Sequence, residues 1–191
     1  MAIFATVLGL AIGTGSPADA ATSWSSLSAG GYHTCGIKSG KLYCWGNNGS
    51  SQVDEGTQTK RESPAQVGSS TGWTAVSTGA YHSCAINDGK LYCWGNNDDG
   101  EGGAGFGSDL HKPTRVGSGT DWTKISAGWS FTCGIRSGKL YCWGDNADGE
   151  VGDKTTTDRH SPTRVGTGAD WSSVAAGGKH VCAIRAGKLY C

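Results

Sequence analysis

Along Ser83–Gly95, SCAINDGKLYCWG, apolar and small residues fill both alternating sets of positions. In an extended chain, where successive side chains point to opposite faces, Cys84, Ile86, Leu91 and Cys93 share one face and Ser83, Ala85, Tyr92 and Trp94 the other. A hairpin wetted on one side alternates apolar with polar, whereas apolar residues on both faces predict a sheet held between two neighbours. The central Asp88-Gly89 marks a tight two-residue turn, because Gly accepts positive φ without strain and Asp tolerates it. Counting outward from that turn sets Ile86 opposite Leu91, Ala85 opposite Tyr92 and Cys84 opposite Cys93. The cysteines then fall at a non-hydrogen-bonded pair, where Cα atoms are about 4.5 Å apart and a disulfide can form.

The same pattern recurs as CGIKSGKLYCWG from Cys35, CGIRSGKLYCWG from Cys133 and CAIRAGKLYC from Cys182, with first cysteines 49 residues apart. The register therefore pairs Cys35 with Cys44, Cys133 with Cys142 and Cys182 with Cys191. In the last copy Ala186 is a poor residue for a turn that needs positive φ, which predicts a wider loop of the same parity there. Each copy opens with a short Trp-led strand (Trp24–Ala29, Trp73–Thr78, Trp122–Ala127, Trp171–Ala176) that a Gly ends. After Trp-Gly comes a long Asn/Asp/Gly-rich connection and then a Pro-led stretch, Pro64–Val67, Pro113–Val116 or Pro162–Val165, suited to a sheet edge where a missing donor is harmless. Four short strands per period make one propeller blade, so the chain reads as all-β, with repeats at 24–72, 73–121 and 122–170 and an incomplete one at 171–191. Gly36, Ala85, Gly134 and Ala183, each opposite a Tyr, leave room for the ring.

Charge removes several function classes: 16 basic residues balance 16 acidic ones, which gives no handle for nucleic acid or an anionic membrane. Eight cysteines in four even pairs point to an oxidising compartment, and each short closure is worth roughly 2 to 3 kcal/mol in the chain-entropy model. Every pair is C-x8-C rather than the close spacing that zinc needs, so no metal is expected. Residues 1–20, an apolar run followed by Ala18-Asp19-Ala20, are expected to be a signal peptide, although no Lys or Arg precedes the run. The run is too short to span a bilayer, and nothing else in the chain could.

Candidate chemistry is sparse. His33, His82 and His180 occupy one position per repeat, but Phe131 holds it in the third, which favours a strand-start side chain bonded to a neighbouring blade over a ligand ring. Asp145–Glu150 misses the calcium-loop spacing and reads as Asx turns. The hairpin Tyr and Trp residues read as blade core rather than a sugar platform. No nucleophile–base set stands out, so neither a catalytic role nor a cofactor is expected. The repeats differ most in their connections, which carry Asp54, Glu55, Lys60 and Arg61, then Phe106, Asp109, Leu110 and His111, then Lys154, Asp158, Arg159 and His160. Variable segments of stacked repeats gather on one rim, so Lys60, Arg61, Phe106, His111, Arg159 and His160 are the candidate binding residues.

The pattern G-x-x-H-x-C-x-I-x-x-G-x-L-Y-x-W-G-x-N, then G-E-x-G, then P-x-x-V, resembles the repeat of the regulator of chromosome condensation family and covers Trp24 to Cys191. The resemblance implies a β-propeller, usually of seven blades, of which about three and a half would be present, as in a fragment of a longer protein; a closed four-bladed ring is the alternative. The nucleotide-exchange activity of eukaryotic members is not expected in a neutral, disulfide-stapled, exported chain. Exported bacterial propellers with this repeat bind partners through loops on one rim. The expectation is therefore a secreted or cell-surface scaffold that binds another protein, with glycan binding as the alternative.

Overall fold

The computed structural model describes residues 23–53, 56–105 and 107–191. The segment read as a signal peptide, and Asp54, Glu55 and Phe106, lie outside the described residues. Blade 1 contains β1 (Trp24–Ala29), β2 (His33–Lys38), β3 (Lys41–Gly46) and β4 (Arg61–Gln66). Blade 2 contains β5 (Trp73–Thr78), β6 (His82–Asn87), β7 (Lys90–Gly95) and β8 (Leu110–Arg115). Blade 3 contains β9 (Trp122–Ala127), β10 (Phe131–Arg136), β11 (Lys139–Gly144) and β12 (Arg159–Arg164). Blade 4 has three strands, β13 (Trp171–Ala176), β14 (Val181–Arg185) and β15 (Lys188–Tyr190). Each blade is an antiparallel meander in chain order. No helix among the described residues is long and apolar enough to cross a membrane.

The hairpin register is the one the turn residues dictate. Cys84 lies opposite Cys93, Ala85 opposite Tyr92 and Ile86 opposite Leu91, and the other copies repeat this. All four cysteine pairs are disulfides, with Cα atoms 4.1 to 4.2 Å apart. The turn centres Ser39-Gly40, Asp88-Gly89 and Ser137-Gly138 all have positive φ. So does Ala186, at 48°, before Gly187 at 74°. The fourth hairpin therefore closes through the same two-residue turn and not a wider loop: the flanking pair Arg185–Lys188 and the disulfide beyond it hold Ala186 where an isolated Ala would be unfavourable.

Two other expectations change. The outer strands begin three residues before the prolines, at Arg61, Leu110 and Arg159, so Pro64, Pro113 and Pro162 lie inside strands. Each falls where the register shifts, as between Cys44–Ala65 and Gly46–Arg61, and on an edge strand such an irregularity removes the need for the donor that Pro lacks. The ring nearest Gly36 and Gly134 is a tryptophan and not the tyrosine opposite. A Cβ on Gly36 would sit 2.8 Å from the Trp24 ring, and one on Gly134 would sit 2.9 Å from Trp122.

The blades stack in sequence, with their Trp-led strands side by side. Cys35, Ile37, Leu42 and Cys44 of blade 1 pack on Trp73, Val76, Ala85 and Trp94 of blade 2. The two following interfaces use the equivalent residues. Each of blades 1 to 3 thus has a disulfide face that meets the aromatic face of the next. Backbone bonds tie them further: Trp73 N–H donates to Gly40 O (3.1 Å), Trp122 to Gly89 (3.0 Å) and Trp171 to Gly138 (2.9 Å).

Candidate interaction rim

The pairings Ala29–Thr34, His33–Gly46 and Gly46–Arg61 bring one end of each of the four strands together at one end of blade 1. That end carries the short loop 30–32 and the long connection 47–60; the opposite end carries the tight turn and the link to the next blade. All the variable connections therefore share one rim, and the hairpin turns share the other.

Each connection is built around one buried asparagine, Asn48, Asn97 or Asn146. Asn97 donates to the carbonyls of Gly105 (3.3 Å) and Gly107 (3.4 Å), while its Oδ1 accepts from Gly102 N–H (3.0 Å). Asn146 does the same with Thr155, Thr157 and Val151, and Asn48 with Thr57, Thr59 and Val53. One amide thus gathers a loop of about ten residues into a fixed shape, with donors and acceptor all used. Its signal in the sequence is the second residue after Trp-Gly, which is Asn in all three copies while the first varies between Asn and Asp. Gln52, Glu101 and Glu150, four residues further on, are also buried and accept from the backbone N–H two residues before them, at 2.9 to 3.0 Å. Burial raises the Glu101 carboxyl to about 7, because the charged form loses its hydration there.

The histidines join blades. Ser83 Oγ donates to Gln52 O (2.8 Å), which uses the only hydroxyl proton, so His33 Nε2–H must donate to Ser83 Oγ (2.7 Å). One blade on, Thr132 Oγ1 donates to Glu101 O (2.9 Å) and accepts from His82 Nε2 (2.8 Å). Burial holds His33 down at about 4, against a smaller upward pull from the Ala80 backbone, and holds His82 at about 3 with help from the nearby His33. Both rings are therefore neutral donors. At the third interface, where the hydroxyl position is Val181, the histidine position is Phe131, and the two share the apolar cluster between blades 3 and 4. The exception in the third repeat is a matched change on both sides of one interface. No group of three or more potential metal ligands gathers among the described residues.

Of the six residues singled out in the connections, the five that are described lie along the outer part of the rim, and two of them strap one blade to the preceding one. His111 lies in β8 and meets Ser51 of the preceding blade through Nδ1 (2.9 Å), while its carbonyl accepts from Gly56 N–H (2.8 Å). His160, at the equivalent place in β12, accepts from Gly105 N–H (2.9 Å). Arg159 is paired to Asp153 within its own connection (Nε to Oδ2, 2.6 Å). Lys60 pairs with Glu62 (2.8 Å) in full solvent, and Arg61 opens β4 opposite Gly46. Phe106 lies outside the described residues.

What the sequence did not single out lies nearer the axis. Tyr32, Tyr81 and Trp129 are 51%, 41% and 55% exposed, whereas the hairpin residues Trp94 and Trp143 are wholly buried. Tyr32 and Tyr81 stack on one another, with centroids 4.7 Å apart and planes 16° apart. Their shared hydrogen bond raises the Tyr81 hydroxyl above the usual tyrosine range. Trp129 lines an open depression of about 400 Å³ whose floor is Gly30, Gly31, Gly79, Ala80, Gly128, Gly177 and Gly178. Asn47 and Asn96 follow on the same rim, each donating its N–H to the carbonyl of Tyr32 or Tyr81 (both 2.9 Å).

Four stacked antiparallel meanders with all their connections on one rim define a repeat-built β-propeller. The chain belongs to the Regulator of chromosome condensation (RCC1) repeat family: one family model matches residues 39–86, 88–135 and 137–184, and a second matches 24–52, 73–101 and 122–150. No curated protein matches it significantly. Among solved structures it is similar to human WBSCR16, with TM-score 0.78 and 23% identity over 86% of this chain and 46% of that one. It is also similar to yeast RCC1 (Prp20), solved bound to Kap60, with TM-score 0.74 and 24% identity over 86% and 42%. A third is the ectodomain of the Physcomitrella patens receptor kinase CR4, with TM-score 0.54 and 24% identity over 86% and 40%. At these identities the likeness is one of fold, and this chain spans less than half the length of each.

Proposed function

We propose that the chain is an exported, non-enzymatic scaffold that binds a protein partner through the rim carrying its connections, with Tyr32, Tyr81 and Trp129 as the central contacts. The exposure of these three aromatic rings together on one rim, in a fold that buries Trp73, Trp94, Trp122, Trp143 and Trp171, carries this reading, since exposed Tyr and Trp clusters dominate protein interfaces. Lys60, Arg61, His111, Arg159 and His160 form the outer flank of the same proposed surface, and Phe106, outside the described residues, is retained as a candidate from the sequence alone. Export is supported by four disulfides with no free cysteine among the described residues, and by the use of this fold in the CR4 ectodomain. The structure of yeast RCC1 with Kap60 offers a precedent for protein partners.

The test places a photo-crosslinking residue at Tyr81 and, as a control, at Lys90 on the opposite rim. A partner captured from Tyr81 alone is then purified and titrated against wild type and the triple variant Tyr32→Ala, Tyr81→Ala, Trp129→Ala. Loss of at least tenfold in affinity is expected; full affinity of the triple variant, or equal capture from Lys90, overturns the reading. Glycan binding is a second reading, favoured by the stacked Tyr32–Tyr81 pair beside Asn47 and Asn96, because sugars combine ring stacking with hydroxyl–amide bonds. Saturable binding of a defined oligosaccharide that is lost in the triple variant would put it first. Stimulated nucleotide release from a small GTPase would restore the exchange-factor reading.

A further inference from the structure

Three of the four hairpins hold a cation over aromatic rings of their own blade. In blade 3 the Arg136 guanidinium carbon lies 5.4 Å from the Trp122 ring centroid and 5.0 Å from that of Tyr141. In blade 4 Arg185 repeats this over Trp171 (5.5 Å) and Tyr190 (5.0 Å), and in blade 1 Lys38 lies over Trp24 (5.9 Å). Each arginine also has a carboxylate beside it, Asp121 or Asp170, at 3.7 Å. Blade 2 builds the same aromatic pair from Trp73 and Tyr92, with centroids 5.6 Å apart and planes at 71°, against 5.7 Å and 64° in blade 3. At the arginine position, however, it has Asn87, and among the described residues no cation lies over either ring.

Four positions around this pair differ together. Gly119 and Gly168 lie under the arginines, so that a Cβ there would sit 2.6 Å from Arg136 Nη1 or 2.8 Å from Arg185 Nη1. The equivalent residue in blade 2 is Ser70, whose Oγ accepts from Asn87 Nδ2 (2.5 Å). The acid is displaced and not lost. Gly72 stands where the other blades have Asp121 and Asp170, and the Asp88 carboxylate lies over it, with Oδ2 2.5 Å from the place of a Cβ. Asp88 has no ion pair among the described residues. Asn and Ser are too short to fill the space that Arg fills, and they leave a cavity of about 230 Å³ whose walls include Trp73, Tyr92, Asn87, Ser70 and Pro113. A substitution that only repacked the blade would close this cavity and need no carboxylate. Here the aromatic walls and the carboxylate both remain, without the cation they surround elsewhere.

We infer that the blade 2 cage is a binding site for a guanidinium group supplied from outside the chain, seated on Trp73 and Tyr92 as Arg136 is seated on Trp122 and Tyr141. A guanidinium stacks on aromatic faces while its N–H groups point outward in the ring plane, and Asn87 Oδ1, Ser70 Oγ and the Asp88 carboxylate are the acceptors at hand. Lys90, opposite Asn87, is no obstacle, since Lys139 and Lys188 stand in the same place beside filled cages. The site belongs to the rim of the hairpin turns, away from Tyr32, Tyr81 and Trp129, and it does not depend on the function proposed for that surface.

The experiment titrates the isotope-labelled, oxidised chain with N-acetyl-arginine methylamide and follows the side-chain N–H signals of Trp73 and Asn87 by NMR. The neutral isostere N-acetyl-citrulline methylamide is the control. Saturable shifts of both signals are expected with the arginine compound and none with the citrulline one. Ser70→Gly combined with Asn87→Arg fills the cage as in blade 3; it is expected to melt no lower than wild type and to lose the saturable shift of Trp73. Asp88→Asn, at an exposed position that leaves the fold intact, is expected to weaken binding roughly threefold, as for the loss of one exposed ion pair. The peptide Gly-Gly-Arg-Gly-Gly identifies the source: tighter binding than the blocked amino acid assigns the site to an arginine side chain of a partner polypeptide, and equal binding assigns it to a free guanidinium compound. The inference is overturned by a wild type that shows no saturable shift, by equal binding of the citrulline compound, by a folded filled-cage variant that still binds, or by undiminished affinity in Asp88→Asn.

Discussion

Replacing His82 and Thr132 by Phe and Val copies the third blade interface into the second and should change how stability responds to acid. His82 is wholly buried with a pKa of about 3, against 6.5 when unfolded. A folded pKa below the unfolded one gives stability that is complete above pH 6.5 and is lost as pH falls, because the unfolded chain takes up the proton first. The slope is about 1.4 kcal/mol per pH unit, so His82 costs the fold roughly 3 kcal/mol by pH 4.5, and His33, at about 4, costs about as much. Glu101 acts in the opposite sense. Its folded pKa of about 7 lies above the unfolded 4.5, so the penalty for its charge is relieved between pH 7 and 4.5, returning roughly 3 kcal/mol. Wild type should therefore lose roughly 3 kcal/mol between pH 7.5 and 4.5, and the His82→Phe, Thr132→Val variant almost nothing. Glu101→Gln, which installs the residue of the first repeat, should lose roughly 6 kcal/mol. Exposed carboxylates add a further acid term, common to all three proteins, that cancels in the comparison. Denaturant melts with the disulfides intact, at half-unit steps of pH, read these slopes directly. Equal slopes for wild type and the Phe/Val variant would refute the neutral-histidine link between blades.

Three further outcomes follow from local geometry. Asn97→Ala should destabilise by roughly 2 to 4 kcal/mol, since it strips partners from three buried or half-buried backbone groups, and limited proteolysis should then cut within residues 98–109 while the hairpins survive. Gly89→Ala and Gly187→Ala share a φ of 74°, but a Cβ at 89 would sit 2.1 Å from Thr120 O whereas one at 187 meets nothing within 4 Å; thermal melts should show a severe loss for the first and only about 1 kcal/mol for the second. Mass spectrometry of unreduced peptides should find Cys35–Cys44, Cys84–Cys93, Cys133–Cys142 and Cys182–Cys191 alone, and Cys84→Ala with Cys93→Ala should cost roughly 2 to 3 kcal/mol in denaturant melts.

The blade was legible in the sequence because a two-residue turn and a side-chain period of two leave one register, and four copies repeat it. The inter-blade role of His33 and His82 was legible from one residue, Phe131, that no ligand ring would contain. The outer strands were misplaced by three residues because proline signals an edge, while the bulge that lets a strand run through it leaves no local mark. Asn97 and its equivalents looked like ordinary turn residues, since a side chain bonding eight to ten residues ahead has no signature in spacing. The aromatic rim escaped notice for a simpler reason. Trp129 stands one place earlier in its repeat than Tyr32 and Tyr81 do in theirs, so superimposing the copies hides the cluster that folding brings to one rim.

The matched exchange of His–hydroxyl for Phe–Val also governs how such an array can lengthen. A duplicated second blade presents Ser83 backward and His82 forward, so it can be inserted beside itself and find the correct chemistry on both sides. Blade 3 accepts a histidine neighbour behind it but demands an apolar one ahead, and blade 4 supplies Val181 to it. Recombination can copy the former singly, whereas the latter two are inherited as a couple, and a gene that parted them would leave a buried imidazole facing a valine or a hydroxyl facing a phenyl ring.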